Sequence, residues 1–264
     1  KFDIDGYRVD TAKHVNPEFW KAFVPKILAT AKSVGKNNFP IFGEVADSDI
    51  PFLASFVTEQ KFPSVLDFPF QAKVSRFAKA GGGAADLATL FNADDLYTTP
   101  TTSAYSLATF MGNHDMGRIG RFIAIISESD GAQVLLERAQ LSNALLFTLR
   151  GGPVLYYGDE KGMTGEGGDQ LARQNMFPTQ VEAWKSELRI GSQPIGTASA
   201  FDIKNPLEEN IAQLQKLYSD YPALKSGTQQ IRYANGSVFA VSRFANNQEL
   251  IAAFNSNDEP QTAT

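Results

Sequence analysis

The chain has 264 residues, 24 basic against 29 acidic side chains for a formal net charge of −5, and a composition 43% apolar and 11% aromatic. That length supports one large core, or a large domain with a small module, and the composition excludes intrinsic disorder. Mild acidity without a Lys/Arg run speaks against nucleic acid and membranes as partners, no apolar run approaches the ~20 residues of a membrane span, and zero Cys excludes disulfides and zinc-thiolate sites without fixing the compartment.

Short apolar runs alternate with helical patterns. The chain opens on the charged Lys1-Phe-Asp-Ile-Asp5, which reads as the middle of a domain rather than a signal peptide. Gly6–Asp10 reads as a strand. Asn16 is then a good N-cap, with Pro17 at the first helical position, and Gly35 closes that helix. Phe19, Trp20 and Phe23 fall at helical spacing and are expected in the core. Phe39–Val45 is the second strand, followed by a helix near 50–59. Ser64–Phe68 is the third, with helices over 70–80 and 84–91 broken by Gly81-Gly82-Gly83. Leu107–Met111 is the fourth strand, Gln133–Arg150 the next helix, and Val154–Tyr157 the fifth strand. A Gly-rich loop of about forty residues follows, too long for a plain connector and so expected to be functional on the substrate side. In it Met176, Phe177 and Trp184 could stack on sugar rings, but residues of this kind in long loops are more often packing, and packing is the preferred reading. Leu207–Tyr218 is one more helix. Beyond Tyr221-Pro222 the pattern turns to strands over 229–233, 238–244 and 249–254, the first two joined through Asn235-Gly236, a hairpin signal.

Alternating strands and helices imply a parallel sheet with right-handed crossovers. Composition leaves two architectures open, a doubly wound sheet and part of a (β/α)₈ barrel. In both, strand C-termini face one rim, and that is where the polar residues collect: Arg8 and Asp10, then Glu44, then Asn113-His114-Asp115. Arg8 and Asp10, two apart, point to one side of their strand, and Tyr7 and Val9 to the helical layer. Asp10 and Glu44 are 34 residues apart, Glu44 and Asp115 71. Against roughly 31 residues per barrel unit, the three carboxylates fall on strands n, n+1 and n+3. Convergent carboxylates with a guanidinium and an imidazole suit glycosidic bond cleavage, which needs a proton donor and a carboxylate facing the anomeric carbon. Arg8 beside Asp10 favours an ionised nucleophile, and the apolar run before Glu44 gives the drier setting of a proton donor. Arg118 and Arg121 could pair with rim carboxylates but are read by a narrow preference as solvated charges, and Tyr157 as either rim packing or a substrate contact.

Three segments, Asp5-Gly-Tyr-Arg-Val-Asp-Thr-Ala-Lys-His14, Phe42-Gly-Glu-Val45 and Phe110-Met-Gly-Asn-His-Asp115, resemble signature segments of the α-amylase family of retaining glycoside hydrolases. Gly152-Pro-Val-Leu-Tyr-Tyr-Gly-Asp-Glu160 resembles that family's eighth strand, and 214–243 its passage into a C-terminal β-domain. The resemblance implies an α/β fold, a (β/α)₈ barrel represented by about five of its eight units over 1–222, followed over 223–264 by the start of an antiparallel β-domain. It implies Asp10 as nucleophile, Glu44 as general acid/base and Asp115 as the carboxylate that holds the sugar hydroxyls. Arg8 would orient Asp10, His114 would contact the sugar, and Lys13 and His14 would face the leaving group. A structural calcium of the intact enzyme near the His14 carbonyl, with most of its ligands outside this chain, an α-glucan substrate, a monomer and a secreted or periplasmic protein are implied in the same way. The family's third-strand segment, with its Asp and second sugar-binding His, is absent, so the chain is expected to be an internal portion of such an enzyme. A transglycosylase or isomerase of the same family, and a non-catalytic glycan- or partner-binding chain, are the rival readings.

Overall fold

The computed structural model describes residues 3–79, 82–126, 130–168 and 170–263. The expected helix end at Ala80, the first glycine of the Gly81–Gly83 break, the opening Lys1-Phe2 and Asp169 of the long loop lie outside them.

Five short parallel strands run side by side. Strands β1 (Tyr7–Val9), β2 (Ile41–Gly43) and β3 (Ser64–Val65) pair in that order, with Arg8 opposite Phe42. Strands β4 (Ala108–Phe110) and β5 (Gly152–Val154) form a second parallel pair. A parallel bridge between Leu66 and Ala108 joins the two sets, so the spatial order is the chain order. The fifth strand begins two residues earlier than the sequence suggests. Tyr156 and Tyr157 therefore lie past its end, on the rim.

Between strands come the expected helices: α1 (Pro17–Ser33), α2 (Ile50–Thr58), α3 (Phe68–Ala78), α4 (Ala84–Asn92). Gly35, at φ +87°, follows α1; the Lys36 amide bonds Ala31 and the Gly35 amide bonds Lys32, closing a Schellman turn. Asn16 occupies the N-cap position of α1 without a side-chain cap bond, whereas the Asp49 and Asp67 carboxylates cap α2 and α3 by accepting from Phe52 and Phe70 amides, both at 2.9 Å. After β4 come α5 (Ile119–Ile126), which the sequence reading missed, and α6 (Ala132–Thr148). The long loop carries the single-turn α7 (Glu182–Lys185); α8 (Pro206–Asp220) opens on a capping box between Asn205 and Glu208, and α9 (Pro222–Ser226) follows.

The two strand faces differ. Outward residues of β1–β3 pack with Trp20, Val24, Leu53, Phe56 and Phe62 into one core. Phe19 does not join it: at 48% exposure it stacks outside on Phe23, because only one face of α1 meets the sheet. On the inward face Leu66, Ala108 and Phe110 form a small cluster with Phe42 and Phe68.

The C-terminal hairpins, β6 (Thr228–Asn235), β7 (Val238–Ala245) and β8 (Gln248–Asn255), form an antiparallel sheet in the order β6-β7-β8. The first turn centres on Gly236-Ser237, with Gly236 at φ +56°; the second uses Asn246-Asn247 at φ 51° and 61°, the primed geometry that tight hairpins favour. Phe239, Val241 and Phe254 join the core of α3, α4 and α6, with Phe239 stacked on Phe91 at 5.8 Å. Arg243, almost wholly buried, ties this sheet to the end of α6 by donating to the Thr148 carbonyl at 2.8 Å.

Arg150, 1% exposed, braces the layer beneath the strands. Its Nη1 donates to Asp67 Oδ2 at 2.5 Å and its Nη2 to Asp94 Oδ1 at 2.7 Å, while its guanidinium lies 5.1 Å from the Phe91 ring. Replacing it strands the buried Asp67 carboxylate and the partly buried Asp94, and breaking such a buried pair costs about 3–5 kcal/mol. Arg150→Leu is therefore expected to lower unfolding free energy in urea by that amount; a loss within the ~1 kcal/mol of a surface pair would contradict the bracing role.

Candidate active site

Because all five strands are parallel, their C-terminal ends share one rim, and the expected residues lie along it. Arg8 lies on the inward side of β1, opposite Phe42. Its guanidinium spans the two nearest carboxylates: Nη1 donates to Asp10 Oδ1 at 2.5 Å and Nη2 to Glu44 Oε1 at 2.8 Å. The sequence reading placed Arg8 beside Asp10 alone. The parallel register adds Glu44, because the Glu44 amide continues the ladder to the Val9 carbonyl at 2.8 Å and sets Glu44 level with the end of β1.

The two carboxylates sit in different surroundings. The Asp10 side chain is 64% exposed and that of Glu44 is 10%. The hydrogen bond from Arg8 holds the Asp10 carboxyl below its ordinary range, with the neighbouring Glu44 and His114 acting in the same direction. Glu44 Oε2 accepts from the Thr11 amide at 3.1 Å. Thr11 reaches that position in the left-handed conformation, φ 48°, which costs a non-glycine residue free energy and persists because the surroundings hold it. The turn Ala12–His14 continues from it, fixed by the indole of Trp20 donating to the Ala12 carbonyl at 2.9 Å. Lys13 donates to the Ala46 carbonyl at 2.6 Å, across the same rim, and His14 is exposed beside it.

After β4 the chain makes a tight loop in which Asn113 and Gly117 exchange backbone hydrogen bonds. The Asn113 side chain accepts from the amides of Asp115 and Met116, presenting His114 and Asp115 to the rim. His114 Nε2 lies 3.2 Å from Asp115 Oδ2. Arg8, Asn113, His114 and the Tyr156 segment line one cavity above the inward apolar cluster of Phe42, Leu66 and Phe110.

The sequence reading missed the residues that fasten the long loop here. Arg118, expected to be solvated, is completely buried. It stacks on Tyr156 at 4.3 Å and donates to Asp159 at 2.9 Å, to Gln174 at 2.8 Å and to the Tyr157 carbonyl at 2.5 Å. Gln174 passes the connection to both oxygens of Glu187. Burial pushes the Asp159 carboxyl up to about 6 against the pull of Arg118. Tyr157 is 44% exposed at the rim, and its hydroxyl donates to the Gln174 carbonyl, as the rim-packing reading expects. Arg121 does reach a carboxylate, Glu166, at 3.7 Å near the surface. The loop closes over Asp115, where the Gly168 amide donates to the Asp115 carbonyl at 2.9 Å and Arg173 Nη2 lies 3.3 Å from Asp115 Oδ1. A Cβ on Gly117 would approach the Gly167 nitrogen to 2.8 Å, and Gly117 has φ +106°, so glycine is required for this approach. Nothing in the sequence marks which of the loop's charges reaches Asp115.

A structural calcium was expected near the His14 carbonyl. Among the described residues no group of three or more His, Asp or Glu side chains could hold a metal ion, and one backbone oxygen does not make a cation site. The described residues do not by themselves form that ion's site, whose other ligands were expected outside this chain.

The family model Alpha-amylase, described as the α-amylase catalytic domain, matches residues 1–202. An α-amylase of Streptomyces lividans is 41% identical over 99% of this chain, and a cyclomaltodextrin glucanotransferase of Thermoanaerobacterium thermosulfurigenes is 28% identical over 94% of it. The chain spans 29% of the first and 30% of the second. The crystal structure of a Geobacillus thermoleovorans α-amylase complexed with acarbose superposes with a TM-score of 0.75 at 23% identity, over 97% of this chain and 49% of that one, a likeness of fold.

The Arg118 connections predict a specific failure. Arg118→Leu leaves Asp159 buried and unpaired and frees Gln174, so limited proteolysis followed by mass spectrometry is expected to show new, rapid cleavage between 158 and 205. Digestion indistinguishable from the unsubstituted chain would contradict this role.

Proposed function

The chain belongs to the α-amylase family, and from that premise we propose that the protein containing it cleaves α-1,4-glucosidic bonds of starch, glycogen or maltodextrins by double displacement. One observation carries the reading: a single guanidinium bridges an exposed and a buried carboxylate at the ends of adjacent parallel strands. Retaining glycosidases need two carboxyl groups about 5–5.5 Å apart, closer than the ~6.5–9.5 Å that admits a water between them. One planar guanidinium touching both favours the shorter spacing.

In this scheme Asp10, kept ionised by Arg8, attacks the anomeric carbon and forms the glycosyl ester. Glu44 gives its proton to the departing glycosidic oxygen. As negative charge leaves Asp10 and appears on Glu44, the shared Arg8 cation remains in contact with both, so no cation has to move between the steps. Glu44 then takes a proton from the incoming water, and its attack releases the sugar. Asp115, oriented by the Asn113 turn and flanked by His114 and Arg173, accepts hydrogen bonds from sugar hydroxyls. Lys13 and His14, on the turn after Asp10, face the leaving-group side. The α-glucan assignment is supported by the α-amylase and glucanotransferase relatives and by the acarbose complex of the superposed structure.

Transfer to a sugar acceptor uses the same carboxylates and is the second reading, favoured by the glucanotransferase relative. With maltoheptaose, hydrolysis is expected to give only shorter oligosaccharides, and transfer would also give longer ones. Asp10→Asn and Glu44→Gln are each expected to lower turnover by at least ~10²–10⁴-fold while Glu44→Gln still binds oligosaccharide. Near-normal hydrolysis by either variant would overturn the assigned roles.

A further inference from the structure

We propose that Phe177 and Phe201 form a carbohydrate-stacking platform on the long loop, taking glucose units of the same α-glucan beyond those held between Asp10, Glu44 and Asp115; the inference rests on the proposed function. The sequence reading preferred packing for Phe177 and kept sugar stacking as the alternative. Phe177 is 67% exposed and Phe201 58%, their ring centroids 5.5 Å apart and their planes inclined at 62°. Two large apolar rings held together in water are costly unless something covers them.

The rings are held outward by what lies beneath. Their chain neighbours Met176 and Ala200 turn inward, packing with Met163, Ile195 and Ile203. The Met176 carbonyl accepts from the Ala200 amide at 2.9 Å and from the Ser199 hydroxyl at 3.1 Å, and the same hydroxyl accepts from the Phe201 amide. The two ring-bearing segments are thus tied to each other and to a small core, a preorganised support that limits the ordering cost of binding. The pyranose ring of an α-glucan has an apolar C–H face suited to such rings, and the exposed Asp202 carboxylate next to Phe201 can accept sugar hydroxyls.

Position selects the occupant. Phe177 follows Arg173 by four residues, so it lies within about 14 Å of the residue that reaches Asp115. Gln174, between them, is clamped by Arg118. The platform therefore sits on the same loop as the residue that reaches Asp115, close enough for one α-glucan chain to span both.

The test is affinity electrophoresis of the whole protein that contains this chain, in gels containing soluble starch and in a Glu44→Gln background so that the polymer is not cut. The Phe177→Ser/Phe201→Ser chain is expected to bind about tenfold more weakly, and Phe177→Leu, which keeps apolar bulk but removes the ring face, to weaken binding with an unchanged melting curve. Phe19→Ser, an exposed phenylalanine on α1, serves as the control expected to bind normally. Retardation equal in all these chains would overturn the platform and leave the proposed function standing. Absence of retardation already in the Glu44→Gln chain would overturn the glucan reading and the platform with it.

Discussion

The structure depends on one contact, the Arg8 guanidinium between Asp10 and Glu44. It exists only because β1 and β2 are parallel and in a register that sets Arg8 opposite Phe42. A slip of one residue would turn Arg8 into the helical layer, where Val9 now packs, and separate the carboxylates. The apolar outward residues fix that register. The site's electrostatics are thus set by the burial of Val9, Ile41 and Trp20 on the other side of the sheet.

Buried guanidinium groups recur wherever irregular chain must be held. Arg150 braces two carboxylates below the strands, Arg118 fastens the long loop to the rim, and Arg243 ties the C-terminal sheet to α6. Each reaches three or more acceptors. A planar group with five donors suits this task, since one side chain can satisfy several loop carbonyls and carboxylates at once. The site side chains are accordingly carried by short rim segments whose conformations are fixed from beneath, as the left-handed Thr11 and the Asn113 turn illustrate.

Much of this was legible in the residues. The alternation of strands and helices, the spacing of Asp10, Glu44 and Asp115, and the change to hairpins after Tyr221-Pro222 are readable in the residues, and each appears in the structure; pattern alone left a doubly wound sheet open, and the sequential strand order was implied by the family resemblance. The failures have separate physical origins. Whether an arginine is solvated or buried depends on partners far away in sequence, so Arg118, 41 residues from Asp159, looks like any surface charge until the loop is in place. Phe19 has helical spacing but falls just outside the apolar stripe that meets the sheet. The fifth strand was shifted because Tyr156 and Tyr157 look like strand residues and serve instead as the aromatic bed for Arg118.

If one guanidinium holds two carboxylates at the spacing of a retaining enzyme, the anomer first released from an α-glucan is fixed by that geometry. Proton NMR during the earliest turnover of maltoheptaose, before mutarotation, measures it directly. The account predicts that the α-anomer appears first; initial release of the β-anomer would mean that water attacks from between the two groups, and would contradict it.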